Sequence, residues 1–191
     1  MKKEKTKGPS SARDRVLETA IRLFYQHGIH IVGIDRIIAE AGVAKMSFYN
    51  HFSSKQELIL EFLKERDRRF MNWFIEEVEK RATKPEERIF ALFDVLEEWF
   101  RSEDFRGCAF INTTAEVGGR NAPETALSLL HKKKFRDYLE KLALEAGLKN
   151  PGKLAEQMTM VIDGSIVKAQ MENSSRSAAI AKEIFLRLQS S

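Results

Sequence analysis

The sequence predicts an all-α fold of about nine helices, an N-terminal three-helix unit followed by a larger helical bundle. Three observations predict it. Apolar residues recur at i, i+3/i+4 and i+7 along the 191 residues. Only four prolines and ten glycines interrupt them, which leaves room for long helices. No stretch alternates apolar and polar residues long enough to insist on a strand; Ile29-His30-Ile31-Val32 is β-like but too short to stand alone.

Residues 1–9 read as a flexible basic arm, with Lys2, Lys3, Lys5 and Lys7 before a Gly8-Pro9 breaker. Ser10 or Ser11 then caps a helix whose apolar face is Val16, Leu17, Ala20, Ile21, Leu23 and Phe24, and Gly28 stops it. A short helix follows with Ile34, Ile37, Ile38 and Ala41 inward. After Ala41-Gly42-Val43 a second short helix runs to about Phe52. Ser53-Ser54 caps a long helix from Lys55 to about Arg81. Pro85 sits at a first-turn position and opens a helix to Phe100. Residues 106–117 form the next, ended by Gly118-Gly119. Asn121-Ala122-Pro123 starts another that reaches Ala146-Gly147. Asn150-Pro151 repeats the cap-then-proline signal for a helix to about Met171, and Ser174 or Ser175 caps the last, through Leu188.

Charge is uneven along this chain. The net +4 divides into +5 over residues 1–55 and −1 over residues 56–191. A small basic module on a near-neutral body suggests an anionic partner for the module only. The single cysteine, Cys108, excludes an internal disulfide framework and a multi-Cys zinc site, and fits a reducing cytoplasm. No apolar run approaches a membrane span, and the basic N-terminus lacks the apolar segment of a secretory signal. There is no Gly-x-Ser-x-Gly, no phosphate-cradling glycine loop and no His-Glu-x-x-His. No enzyme activity, cofactor or metal is expected.

The informative segment is Ile34 to Phe52. Two helices of about two turns flank a tight turn holding Gly42, and the second is too short to be stable alone. This is helix-turn-helix spacing, in which the second helix enters the DNA major groove. Val43, Phe48 and Phe52 would pin the second helix to the first, leaving Lys45, Met46, Ser47, Asn50 and His51 outward. Those side-chain types meet phosphates and base edges. Spacing alone also fits an ordinary pair of core helices; the confined positive charge favours DNA.

Gly28, Ile34-x-x-Ile37, Ala41-Gly42-Val43, Phe48-Tyr49-x-His51-Phe52 and Ser54-Lys55-x-x-Leu58 together resemble the DNA-binding signature of TetR-family transcriptional regulators. Ala20-x-x-Leu23-Phe24 fits that family's first helix, and the likeness covers roughly residues 12–60. Gly33 and Ala44 stand where the family usually carries hydroxyl residues, Ile38 where it has Ala, and Met46 where it has Gly. The resemblance implies that Gly33, Lys45, Met46, Ser47, Tyr49, Asn50, His51 and Lys55 make the DNA-binding set. Tyr49 would reach a phosphate through its hydroxyl, and Lys55 would do so where the fourth helix opens. The alternative for Tyr49 is a half-buried packing aromatic, for His51 a helix-packing or capping imidazole, and Met46 is either a thymine-methyl contact or a plain surface position.

Residues 62–110 hold ten aromatics, including Phe62, Phe70, Trp73, Phe74, Phe90, Phe93, Trp99 and Phe110. Most must be core, yet a bundle this rich in rings suits an internal apolar pocket. TetR-like proteins carry an effector pocket in these helices. The candidate lining here is Phe62, Arg66, Phe70, Phe93, Phe110, Asn112, Thr113, His131, Phe135 and Met158. Cys108, near Arg106, is a candidate thiol sensor or else a small buried residue at a helix start. In this family the last two helices pair with their copies in a four-helix interface. That places Leu154, Met158, Ile162, Ser165, Ala169, Ala181, Ile184, Phe185 and Leu188 at a homodimer contact, unless they close the protomer's own bundle.

The expected organisation is thus the arm at 1–9, a helix-turn-helix domain at 10–54, and an effector-binding and dimerisation domain at 55–191. The expected function is a cytoplasmic, homodimeric, sequence-specific repressor. It would bind a palindromic double-stranded DNA operator and be released by a small apolar or aromatic effector. The alternatives are an architectural DNA-binding protein without effector, and a helical carrier or enzyme that does not bind DNA.

Overall fold

The structure is a computed structural model that describes residues 11–117, 119 and 121–189. The basic arm at 1–9 lies outside them. Nine helices form among the described residues, in the order α1 (Ala12–His27), α2 (Ile34–Ala41), α3 (Lys45–His51), α4 (Lys55–Arg81), α5 (Pro85–Arg101), α6 (Ala109–Val117), α7 (Pro123–Glu145), α8 (Pro151–Glu172) and α9 (Arg176–Leu188).

Local chemistry sets most of the boundaries. Ser11 closes a capping box on α1: its hydroxyl accepts from the Asp14 N–H, and the Asp14 carboxylate accepts from the Ser11 N–H. Ser54 caps α4 by accepting from the Glu57 N–H. Pro85, Pro123 and Pro151 each occupy the first turn of a helix, where their missing N–H costs nothing. Gly42 ends α2 in the left-handed region (φ 62°) and turns the chain into α3.

The sixth helix starts three residues later than periodicity suggests. Gly107 lies at φ 77°, and a Cβ there would overlap the Gln170 side chain. The flanking backbone is held from outside, because the Tyr25 hydroxyl donates to the Gly107 carbonyl (2.9 Å) and accepts from the Arg106 N–H (3.1 Å). Those groups are spent on α1 and do not join a helical ladder.

One continuous apolar core runs through both parts of the chain. Phe24 of α1 meets Phe62 of α4 edge-on at 5.5 Å, which seats the N-terminal unit on the bundle. Further along α4, Phe70 and Phe74 pack against Trp99 of α5 and Phe135 of α7. Phe90 and Phe93 of α5 hold Phe185 of α9. No helix among the described residues is long and apolar enough to cross a membrane.

Candidate nucleic-acid interface and internal cavity

α3 has only seven residues and no side-chain cap at Ala44, so its position depends on packing. Phe48 and Phe52 are fully buried, and Arg13 lies over the Phe52 ring at 5.3 Å. Burying rings of this size contributes about 1.5–3 kcal/mol each. Phe48 also packs edge-to-face with Tyr49 at 5.2 Å, and Tyr49 stays 43% exposed. On the outer side Lys45, Met46, Asn50 and His51 are exposed and Ser47 is half-buried. Lys45 makes one loose ion pair, 3.5 Å to Asp35, with both groups largely in water; such a pair contributes little and yields readily to a phosphate.

Other cations of this unit are already engaged. Arg22 and Arg36 both bond the Glu40 carboxylate, which they hold below the usual carboxylate range, Arg22 most. Arg13 pairs with Glu61 at 2.8 Å. Lys55 opens α4 and donates to the His30 carbonyl at 3.3 Å. Partial burial lowers its pKa from the ordinary lysine value, with Glu116 opposing. Gly33, the N-cap of α2, is exposed and supplies no side-chain cap.

A cavity lies between α4, α5, α6, α7 and α8. Phe70, Leu96, Trp99, Phe110, Phe135 and Ile166 form its apolar wall. Arg66, His131, Lys132 and Asp163 contribute polar groups, and Cys108 and Ala109 close the end beside α6. The cavity itself is small, about 20 Å³. The rings are therefore nearly closed on one another, and a drug-sized occupant must part them.

His131 is buried with its ring stacked on Phe110, centroids 3.8 Å apart. Its Nδ1 lies 2.8 Å from Asp67 Oδ1, so the neutral ring carries its proton there and donates it. Burial lowers the His131 pKa, opposed by the hydrogen bond to Asp67. Burial would raise Asp67, but hydrogen bonds from His131 and Lys134 outweigh it and its pKa falls. Lys132 pairs with Asp163.

The family model for bacterial regulatory proteins of the tetR family matches residues 16–62, the segment that builds α1 to α3 and the start of α4. The crystal structure of a TetR-family transcriptional regulator from Streptomyces coelicolor superposes with a TM-score of 0.85 at 33% identity, covering 94% of this chain and 96% of that one. The chain belongs to the TetR family of transcriptional regulators. The HTH-type transcriptional regulator LmrA of Bacillus subtilis is 28% identical over 168 residues, 85% of this chain and 89% of that protein. The HTH-type transcriptional repressor KstR2 of Mycolicibacterium smegmatis is 31% identical over 88 residues, 44% of this chain but only 41% of KstR2. As a TetR-family member this protein is a DNA-binding transcriptional regulator.

Within this TetR-family regulator the residues expected from sequence to line an effector pocket divide. Arg66, Phe70, Phe110, His131 and Phe135 meet in the cavity, together with Cys108. Phe62, Asn112 and Thr113 line a separate cleft between α1 and α6. Phe93 is core against Phe185, and Met158 is core inside α8. Trp99, Leu96, Lys132, Asp163 and Ile166 also line the cavity and were not among the expected residues; of these only Trp99 had a signal, as a ring in the aromatic-rich stretch. Cys108 is buried at the end of the cavity, and the Arg106 guanidinium bonds the carbonyls of Glu103 and Phe105. Leu154, Met158, Ile162, Ser165, Ala169, Ala181 and Phe185 are all buried within one protomer, so they do not form a surface for a second copy. Ile184 is 39% exposed and Leu188 half-buried. The apolar side chains that α8 presents outward are Met160, Val167 and Met171.

Proposed function

We propose that this chain is a homodimeric repressor that reads a palindromic operator and is released from it by a small molecule entering the α4–α8 cavity. One observation carries the DNA part: buried Phe48 and Phe52 turn Lys45, Met46, Tyr49, Asn50 and His51 outward on one short helix. Lys45 and Tyr49 suit phosphates, and Asn50 suits the paired donor and acceptor of an adenine edge. A single helix of this length reads few base pairs, so two copies on a symmetric site are required for useful specificity.

The surface for the second copy is the outer face of α8. Met160, Gly164, Val167 and Met171 follow one another at spacings of four, three and four residues, with both methionines more than three-quarters exposed. That spacing is the seam of a helix pair. Gly164 has nothing within 4 Å of the position its Cβ would take, so the partner helix has room to approach there. Work in the cytoplasm, where operator DNA is reached without secretion, belongs to the same reading.

Sequencing the duplexes retained from a random pool tests the DNA reading. Enrichment of a palindrome with half-site centres about 34–36 Å apart, or a multiple, is expected. Affinity for it should fall steeply with salt, as displaced counterions require. Equal retention of all duplexes would refute sequence-specific regulation and leave an architectural role. No retention at any salt would leave a carrier or enzyme. A footprint insensitive to every apolar compound tried would remove the effector and keep the operator.

A further inference from the structure

The charges in and beside the cavity do not balance. Lys132 pairs with Asp163, Lys134 pairs with Asp67, and His131 is neutral. Arg66 remains. Its side chain is 8% exposed, and among the described residues no carboxylate comes within ion-pair distance of it. Its one close partner is the Tyr25 ring, with the guanidinium carbon 3.8 Å from the ring centroid. A buried cation without a counter-ion is costly to keep. Lying over the Tyr25 ring, the guanidinium makes no hydrogen bond among the described residues, so its N–H donors remain unspent. That residue lines the cavity, among the Phe70, Trp99 and Phe110 rings.

We propose that Arg66 is an anion-binding residue and that the cavity takes an amphipathic organic monoanion, its carboxylate on the Arg66 edge and its flat apolar body among the rings. This rests on reading the cavity as the effector site. One uncompensated positive charge calls for one negative charge, and the wall calls for an apolar remainder. Tyr25 is the positioning residue that connects this site to DNA. It belongs to α1, covers Arg66 with its ring, and holds the Arg106–Gly107 backbone with its hydroxyl. Burial keeps that phenol above the usual phenol range, Arg66 opposing, so it remains a neutral donor. An anion that draws the guanidinium off the ring changes what holds α1 to the segment before α6.

The probes are naphthoate and biphenyl carboxylate, each against its neutral amide, titrated by calorimetry into the full-length protein. Each acid is expected to bind about tenfold or more tighter than its amide, a difference of ~1.4 kcal/mol. Arg66→Gln should erase that preference while far-UV circular dichroism stays that of the parent. Equal binding of acid and amide, binding of neither acid at millimolar concentration, or an acid preference that survives in Arg66→Gln would overturn the proposal. If Arg66→Gln does not fold, the acid-to-amide ratio of the parent protein still decides. The same titrations on protein bound to its selected duplex separate the two readings. Acids that bind through Arg66 without loosening DNA uphold this site and refute effector release. Acids and amides that release DNA alike do the reverse. In Tyr25→Phe, which keeps the ring and loses both hydrogen bonds, naphthoate affinity should stay within about twofold while the acid-induced loss of DNA affinity shrinks. An undiminished loss would overturn the part given to Tyr25.

Discussion

Gly28 is where the DNA-binding unit meets the end of α6, and replacing it with alanine should be among the costlier small substitutions in this chain. Two effects add. The residue sits at φ 86°, ψ 158°, a region essentially reserved for glycine, and strain there costs about 1–3 kcal/mol. A Cβ would also stand 2.9–3.0 Å from the Glu116 carboxylate oxygens, which must move. One of them accepts the His30 N–H at 2.8 Å, and losing an exposed bond of that kind costs roughly 0.5–1.5 kcal/mol. The sum is about 1.5–4.5 kcal/mol, or roughly 3–18 °C in Tm for a chain of this size. Gly42→Ala is the control: φ is 62°, but nothing lies within 4 Å of the new Cβ, so only about 1 kcal/mol of backbone preference is lost. Urea unfolding of both variants, and of Gly28→Ala in a Glu116→Ala background, measures the two components. The cost of Gly28→Ala should fall in that background toward the strain alone. A Gly28→Ala no less stable than Gly42→Ala would refute the reasoning.

Three further outcomes are expected. Tyr49→Phe should weaken binding evenly across duplexes, whereas Asn50→Ala should change which base is preferred at one half-site position and cost about 1–3 kcal/mol there, read by binding competition. Val167→Asp should give a folded monomer by light scattering, because Val167 faces solvent in the protomer, while Ile162→Asp should unfold the chain, because Ile162 is fully buried. His131 has a folded pKa below its ordinary 6.5, so its contribution is complete above that value and is lost as pH falls from 6.5 through the folded pKa, the unfolded chain binding the proton first. Urea unfolding at about pH 7.5 and about pH 5.5 should show that loss, and His131→Gln should reduce it.

What sequence makes legible here is whatever local chemistry decides. Ser11, Ser54 and the three first-turn prolines mark helix starts that need no tertiary information. The start of α6 is different: Arg106 and Gly107 leave the helix because a tyrosine hydroxyl more than eighty residues earlier takes their backbone groups. Facing is the other blind spot. α8 is apolar on two sides, Leu154, Met158 and Ile162 on one and Met160, Val167 and Met171 on the other, and periodicity does not say which side meets the protomer's own bundle. The same ambiguity separates Phe70 and Phe110, which line the cavity, from Phe62, which borders the α1–α6 cleft, and Phe93, which is core, since all four are buried or partly buried rings at helical spacing.

Polar contacts reinforce the seam between the helix-turn-helix and the bundle beside the Phe24–Phe62 packing, among them Arg13 of α1 with Glu61 of α4 and Lys55 of α4 with the His30 carbonyl. Arg69 of α4 bonds Glu18 of α1 as well as Glu65; Glu65, held down to about 2 mainly by Arg68 and with Arg69 adding, stays ionised through the physiological range. Glu116 of α6 accepts the His30 N–H, and the Glu116 carbonyl faces the His30 ring at 2.6 Å. Tyr25 joins α1 to the backbone before α6 and to Arg66 in the cavity wall. Of these contacts, the one through Tyr25 reaches the cavity, by way of Arg66. The Arg69 and Glu116 contacts lie outside it, so an occupant has no direct purchase on them. A ligand shifts a two-state seam only by the difference in its affinity for the two arrangements, and tenfold release of DNA needs about 1.4 kcal/mol of it. Changing the stacking and hydrogen bonds of one buried tyrosine is on that scale. On the proposed release by a cavity ligand, the Tyr25 contact is therefore the part of the seam an occupant acts on, while the remaining polar contacts and the Phe24–Phe62 packing keep the helix-turn-helix seated on the bundle.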